Sequence, residues 1–161
     1  MLSQGRTGAA ERRILDAWRM EWEMPDAPQF LGYMAAASRR WADADALDAL
    51  ADRLYAAKLA EAHAFRSLPP VKEALRRESA LALTQHGVVL ERLKRPGDAL
   101  ALYRRALAVF PLSQTCYNMA VLAWGRDWDA AAEDLAEAVR LDPSNAQARR
   151  YLDELRARRP R

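Results

Sequence analysis

One spacing constrains this chain more than any other feature. The interval from Pro111 to Pro143 is also the interval from Ala99 to Ala131, from Tyr103 to Leu135 and from Ala106 to Ala138. Four matched offsets mark an internal repeat, and a period within about 20–50 residues is the signature of units stacked into an array such as a helical solenoid. Each copy reads as helix, turn, helix. The first carries Gly87 in its leading helix, a turn at Arg95-Pro96-Gly97-Asp98, then Ala99, Tyr103, Ala106 and a closing Pro111. The second carries Tyr117, Ala120 and Trp124, a turn at Gly125-Arg126-Asp127, then Trp128, Ala131, Leu135, Ala138 and Pro143. Together they occupy residues 79–145.

Composition agrees with a helical chain. Alanine and leucine dominate the apolar half, β-branched residues are few, and 29% of residues are charged. With 161 residues the chain is long enough for one domain with its own core. A single cysteine, Cys116, excludes an internal disulfide and suits a reducing, cytoplasmic setting. No apolar run opens the sequence, so no signal peptide is expected. The longest uncharged stretch, Ala106 to Gly125, is interrupted by Pro111 and by Ser113, Gln114, Thr115 and Asn118, so no transmembrane segment is expected.

Upstream of the repeats the periodicity predicts three helices. Residues 1–8 are small and polar and are expected to be loose. A first helix is predicted over Ala9–Met24, with Ile14, Leu15, Trp18 and Trp22 at helical spacing, ended by Pro25-Asp26-Ala27-Pro28. A second is predicted over Gln29–Arg40 with Phe30, Tyr33, Met34 and Ala37 on one face. The aromatic residues Trp18, Trp22, Phe30, Tyr33 and Trp41 read as a packed hairpin, the other reading being an exposed partner surface. A third helix is predicted from Asp43 or Asp45 to Ser67 as one long element. A faint echo of the repeat places Trp41, Ala57, Ala64 and Pro69 at matching offsets. Pro69 and Pro70 open the next helix, and whether 70–94 breaks near Ser79 is open. Residues 9–78 therefore form an N-terminal extension. At the other end Asn145 caps a last helix, Ala146–Arg158, with Ala148, Leu152 and Leu155 buried. Residues 146–161 are thus a capping helix and basic tail covering the final seam.

A search for chemistry finds little. The six glycines form no phosphate-binding loop. Cys116 reads as a buried thiol. His63 and His86 are the only histidines, and neither pairs with Glu61 or Glu91 at a spacing that stacks two metal ligands on one helical face. No catalytic residue, metal or cofactor is expected, and no small-molecule substrate is evident. The formal charge of +3 is concentrated at the end, where Arg149, Arg150, Arg156, Arg158, Arg159 and Arg161 outnumber Asp153 and Glu154. Those arginines could contact RNA phosphates, but Tyr151 is their single stacking partner, which disfavours nucleic acid.

The segments 99–111 and 131–143 resemble the second helix of a tetratricopeptide repeat, with small residues at close crossings, an aromatic or Leu between them and a Pro after. Gly87 stands where that family has its small first-helix residue, and Trp128 resembles the aromatic that opens its second helix. The first copy fits the family's unit of about 34 residues; the second is shorter between its helices. The resemblance implies an all-α, short right-handed solenoid and a non-catalytic protein–protein interaction module or scaffold. It also implies a concave groove lined by leading helices, which here would present Leu81, Thr84, Gln85 and Val88, then Thr115, Asn118, Met119 and Leu122. Gln147, Arg150, Tyr151 and Glu154 would follow from the last helix. Thr84, Val88 and Met119 replace residues that some family members use to clamp a peptide carboxylate, so that clamp is not expected. The expected partner is a protein or peptide with an apolar stretch and an acidic end, anchored by Arg150. Two repeats fall short of the three or so that a solenoid needs, so the N-terminal helices or another chain complete the core. The alternatives are an accessory domain of a larger, membrane-associated bacterial protein, or an RNA-contacting helical module.

Overall fold

The computed structural model describes residues 2–20 and 23–158. Among these there are eight helices and no strand: α1 (Leu2–Met20), α2 (Asp26–Ala37), α3 (Trp41–Ala64), α4 (Pro69–Arg92), α5 (Pro96–Val109), α6 (Ser113–Ala123), α7 (Trp128–Leu141) and α8 (Ala146–Arg158). The fold is an all-α helical repeat. Consecutive helices pack against one another, and α4 also touches both α2 and α6. The leading helices α2, α4 and α6 therefore form one layer, and α3, α5 and α7 the other.

Local chemistry sets the helix ends. Proline occupies the first turns of α4 and α5, where its missing N–H removes no helical bond. The Asp127 carboxylate accepts from Ala130 N at 3.0 Å, and Asn145 Oδ1 accepts from Ala148 N at 3.0 Å, each satisfying an orphan donor. Three helices end in the left-handed region without glycine, at Arg39 (φ 58°), Arg66 (φ 50°) and Lys94 (φ 62°). In each case the next N–H bonds back across the final turn: Arg40 to Ala35, Ser67 to Ala62 and Arg95 to Leu90, at 2.8, 3.0 and 2.9 Å.

Several boundaries differ from the sequence expectation. α1 begins at Leu2 and not at Ala9, so the segment expected to be loose is helical from there. Trp22 lies outside the described residues. α2 begins at Asp26, within the stretch expected to end a helix, because Pro28 falls in its first turn. α3 starts at Trp41 and stops at Ala64. α4 is continuous, with no break at Ser79.

The structure also reveals a third unit. Gly32, Ala44, Asp48 and Ala51 precede Gly87, Ala99, Tyr103 and Ala106 by one constant offset, and all eight are buried. The left-handed residues Arg39 and Lys94 obey the same offset. A Cβ at Gly87 would strike the Tyr103 ring, and a Cβ at Gly32 would strike the Asp48 carboxylate. The α2–α3 crossing is thus the α4–α5 crossing with a carboxylate in place of the ring. The echo expected at Trp41, Ala57, Ala64 and Pro69 is not this repeat: Ala57 and Ala64 are exposed. Among the described residues Ala35, Ala44 and Val89 form a small apolar core, and two larger ones accompany it. Ala80, Leu83, Leu90, Ala99, Leu102, Tyr103 and Ala106 form one, and Cys116, Ala120, Ala131, Leu135, Ala138, Ala148, Leu152 and Leu155 the other.

Candidate functional site: the face of the leading helices

A second constant offset, shorter than the first, relates α4 to α6. Leu83 and Cys116 are equivalent buried positions, and so are Gly87 and Ala120. The residue after each glycine or alanine then points outward. That position holds Tyr33 in α2, Val88 in α4 and Val121 in α6, which are 62%, 36% and 41% exposed. Phe30, one turn before Tyr33, is also exposed. Periodicity thus aligns an uncovered apolar stripe across three helices. Of the N-terminal aromatics, Trp18 and Trp41 are half-buried while Phe30 and Tyr33 face outward, so that hairpin is only partly a packed unit.

The residues expected in the groove divide. Thr84 and Thr115 are a correction: both are buried, and their hydroxyls bond to each other at 2.7 Å across the α4–α6 contact. Thr84 Oγ1 also donates to Ala80 O at 2.7 Å. Close approach of the two helices turns these side chains inward, where a partner cannot reach them. Gln85 is engaged internally, its Nε2 donating to Asp48 Oδ1 at 3.0 Å and to Gln29 O at 3.3 Å. Met119 and Leu122 line a different concavity. It is a cleft of about 490 Å³ with Leu100 and Arg104 of α5 on one side and Ala130 and Asp134 of α7 on the other. Burial and Glu133 push the Asp134 carboxyl up to about 6, opposed by Arg104.

Leu81 is half-buried and Val88 open. Asn118 Oδ1 accepts from Gln114 Nε2 at 2.9 Å. Close by, the Tyr103 hydroxyl donates to Glu91; burial, together with that bond, drives the phenol pKa upward. At the far end Gln147 and Arg150 are exposed, while Tyr151 and Glu154 are half-buried. Tyr151 sits edge-on to Tyr117 at 5.7 Å and to Trp124 at 5.1 Å, and Trp124 meets Trp128 at 5.2 Å. The Arg150 guanidinium lies 5.3 Å from the Tyr151 ring centre, a cation–π distance. Asn145 Nδ2 donates to Ser113 Oγ at 2.9 Å, tying the start of α8 to the start of α6. Arg156 pairs with Asp153 and Arg158 with Glu154; Arg159 and Arg161 lie outside the described residues.

The titratable groups do not converge. Burial raises the Cys116 thiol to about 11, which keeps it protonated and unreactive at neutral pH. His86 bonds Asp45 at 2.8 Å, and Arg95 meets the same carboxylate at 3.3 Å. Asp48 is buried, with Gln85 its one hydrogen-bond partner, on Oδ1, and Oδ2 without one. Desolvation lifts it to about 7 against the opposing pull of Gln85.

No family model matches the chain, and no curated protein matches it. Among solved structures it is similar to the crystal structure of a thermophilic TPR protein of Thermus thermophilus. Identity is 17% over 97% of this chain and 93% of that one, with a TM-score of 0.46. No residue role is carried over from that likeness. No described helix is long and apolar enough to cross a membrane, and no cluster of three metal-ligating side chains occurs among the described residues.

Val121 was not among the residues expected on this face, and Phe30 and Tyr33 were named only in the alternative reading of the N-terminal aromatics as an exposed surface. The longer offset, visible once Gly32 is aligned with Gly87, equates Tyr33 with Val88, and the shorter one equates Val88 with Val121.

Proposed function

We propose that this chain is a non-catalytic interaction module that seats a segment of a protein partner along the outer face of α2, α4, α6 and α8. The observation that carries this reading is the aligned exposure of Tyr33, Val88 and Val121, with Phe30 beside them. Apolar side chains exposed singly need no explanation, whereas a stripe repeated at equivalent positions along an array does. Leu81 borders the stripe, and Asn118, Gln147 and Arg150 make its α8 end polar and cationic. Such a surface suits an apolar segment with an acidic end, the carboxylate meeting Arg150 through a charge-assisted bond. The absence of convergence among Asp48, Asp134, Cys116 and the raised tyrosines supports a binding role over catalysis.

The test is selection of peptides from a random display library on the full chain, followed by affinity titration. Peptides rich in apolar residues with an acidic end should emerge. Val88→Asp with Val121→Asp should weaken them by tenfold or more, about 1.4 kcal/mol, and Arg150→Glu should do so with helicity intact. Selected peptides indifferent to all three substitutions would remove the stripe as the working face.

A further inference from the structure

α3 and α4 are each 24 residues long, against 12 for α2 and 14 for α5. At about 1.5 Å per residue that is about 36 Å against about 18 to 21 Å, so the α3–α4 hairpin overhangs its neighbours. Two bonds locate where the overhang starts. Tyr55 Oη donates to Asp26 Oδ1 at 2.5 Å, at the first residue of α2, so the rest of α3 runs past the start of α2. Arg76 Nε donates to Val109 O at 2.8 Å, at the last residue of α5, so the first turns of α4 run past the end of α5. α1 lies against α2, with Glu11 paired to Arg40 at the opposite end. Among the described residues the two arms pack on each other beyond these points, and Ala62 is buried there.

Their tip carries the most exposed large apolar side chains of the described chain: Phe65 at 83% and Leu68 at 70%, with Val71 at 51%. Helix-end geometry holds them outward, since Arg66 is left-handed and Pro69-Pro70 stiffens the entry to α4. Around them the charge is one-sided. At the tip Arg66 and Lys72 face one acid, Glu73, while Glu61 of the last turn of α3 is paired with Lys58. Among the described residues, Arg66, Lys72 and Arg77 make no ion pair.

We propose that this tip is a peripheral contact for an anionic lipid surface. Phe65, Leu68 and Val71 enter the interfacial layer while Arg66 and Lys72 meet the lipid phosphates and carboxylates. The shape favours a bilayer over a protein groove: the apolar group sits at a narrow tip flanked by Arg66 and Lys72, and a soft interface accepts it without a preformed pocket. Juxtaposed apolar and basic side chains act together at such a surface, each cation adding to the attraction within a Debye length. The contact is separate from the proposed partner-binding stripe and leaves it free.

The test is co-sedimentation of the full chain with vesicles of phosphatidylcholine alone and of phosphatidylcholine with phosphatidylserine in equal parts. Binding should appear on the anionic vesicles, weaken by about tenfold or more as salt rises, and be slight on the neutral ones. Phe65→Ser with Leu68→Ser should abolish it. Residue 68 is the N-cap of α4, where Ser favours the helix, so circular dichroism should show the fold intact. Arg66→Glu with Lys72→Glu should do the same, while Arg66→Lys retains binding. Three results each overturn the proposal. One is no binding to anionic vesicles; another is binding lost with Arg150→Glu and Arg156→Glu but not with the tip variants. The third is a lipid-free oligomer that Phe65→Ser dissolves, which would make the tip an interface between copies of this chain.

Discussion

Asp48→Asn should stabilise this protein at alkaline pH and give no stabilisation in acid. Asp48 occupies the position of Tyr103 in the earlier unit, pressed against Gly32, with one carboxylate oxygen held by Gln85 and the other without a partner. Its carboxyl is lifted from 3.8 to about 7 by desolvation. The folded state thus holds this proton more tightly than the unfolded state. Below about pH 4 both states are protonated and the group contributes nothing to the pH dependence. Stability then falls as pH rises through the window from 3.8 to about 7, and the loss is complete above it. A shift of about three units corresponds to a ceiling of about 4 kcal/mol. Asparagine keeps the acceptor for Gln85 but places an amide N–H where Oδ2 lacks a partner, and an unsatisfied donor costs about 1–3 kcal/mol. The net gain at pH 8 is therefore about 1–3 kcal/mol, or roughly 2–12 °C in Tm for a domain of this size.

The assay is urea unfolding followed by circular dichroism, on wild type and variant, at several pH values from 4 to 8. The quantity to read is the difference between the two proteins, because Asp134, whose carboxyl is raised to about 6, titrates in both. That difference should grow with pH and level off above about 7. A difference that stays constant across the range would refute the reasoning, since it would mean that Asp48 remains ionised and well solvated in the folded state.

Gly87→Ala should cost about 2–3 kcal/mol, because its Cβ would come within 2.9 Å of Tyr103 Cζ in a ring wholly buried and held at its hydroxyl by Glu91; an unchanged Tm would contradict the crossing described. Ala106→Leu overpacks the same crossing and should cost about 1–3 kcal/mol in the same measurement. Lys94→Gly should raise stability by about 0.5–1 kcal/mol, because φ 62° is strained for a side chain and free for glycine; denaturant titration would show it as a higher midpoint with unchanged slope. Deleting residues 146–161 removes Leu152 and Leu155 from a core they share with Leu135 and Ala138; the shortened chain should aggregate or melt earlier, read by size-exclusion chromatography and thermal scans.

The two downstream repeats were legible because their signals are steric. Where helices cross closely only Ala or Gly fits, so Ala99, Ala106, Ala131 and Ala138 recur and stand fully buried. The cap at Asn145 was legible for a similar reason, since its side chain answers an orphan N–H. The first unit was hidden by one residue. At its second-helix core position an aromatic was the expected signal, and Asp48 reads as a surface carboxylate. Alternation of polarity could not reveal that Gln85 and Gly32 enclose it. Exposure along the candidate face was half legible for a related reason. Thr84 and Thr115 carry hydroxyls that look surface-bound in a sequence, yet their mutual bond satisfies both and lets them face inward. Val88, Gln147 and Arg150 did come out exposed.

The same substitution pattern explains why the first two units differ in shape. Pro111 follows α5 and stops it; the equivalent position in the earlier unit is Ala56, which has no reason to end a helix. α3 therefore runs on to Ala64, and α4 must begin correspondingly far out to return along it. The offset from Gly32 to Gly87 is longer than the offset from Gly87 to Ala120 because this added length is folded into two antiparallel arms. An insertion of that kind leaves the Ala44 and Ala51 crossing undisturbed, because it enters after the crossing is complete. What it adds is an overhang with an apolar, cationic end, with Ala62 buried within it and bonds from Tyr55 and Arg76 at its base. A replacement of Ala56 by proline should therefore shear off the overhang and leave the stripe at Tyr33, Val88 and Val121 in place. The two proposed surfaces, one for a partner segment and one for lipid, would then separate in a single variant.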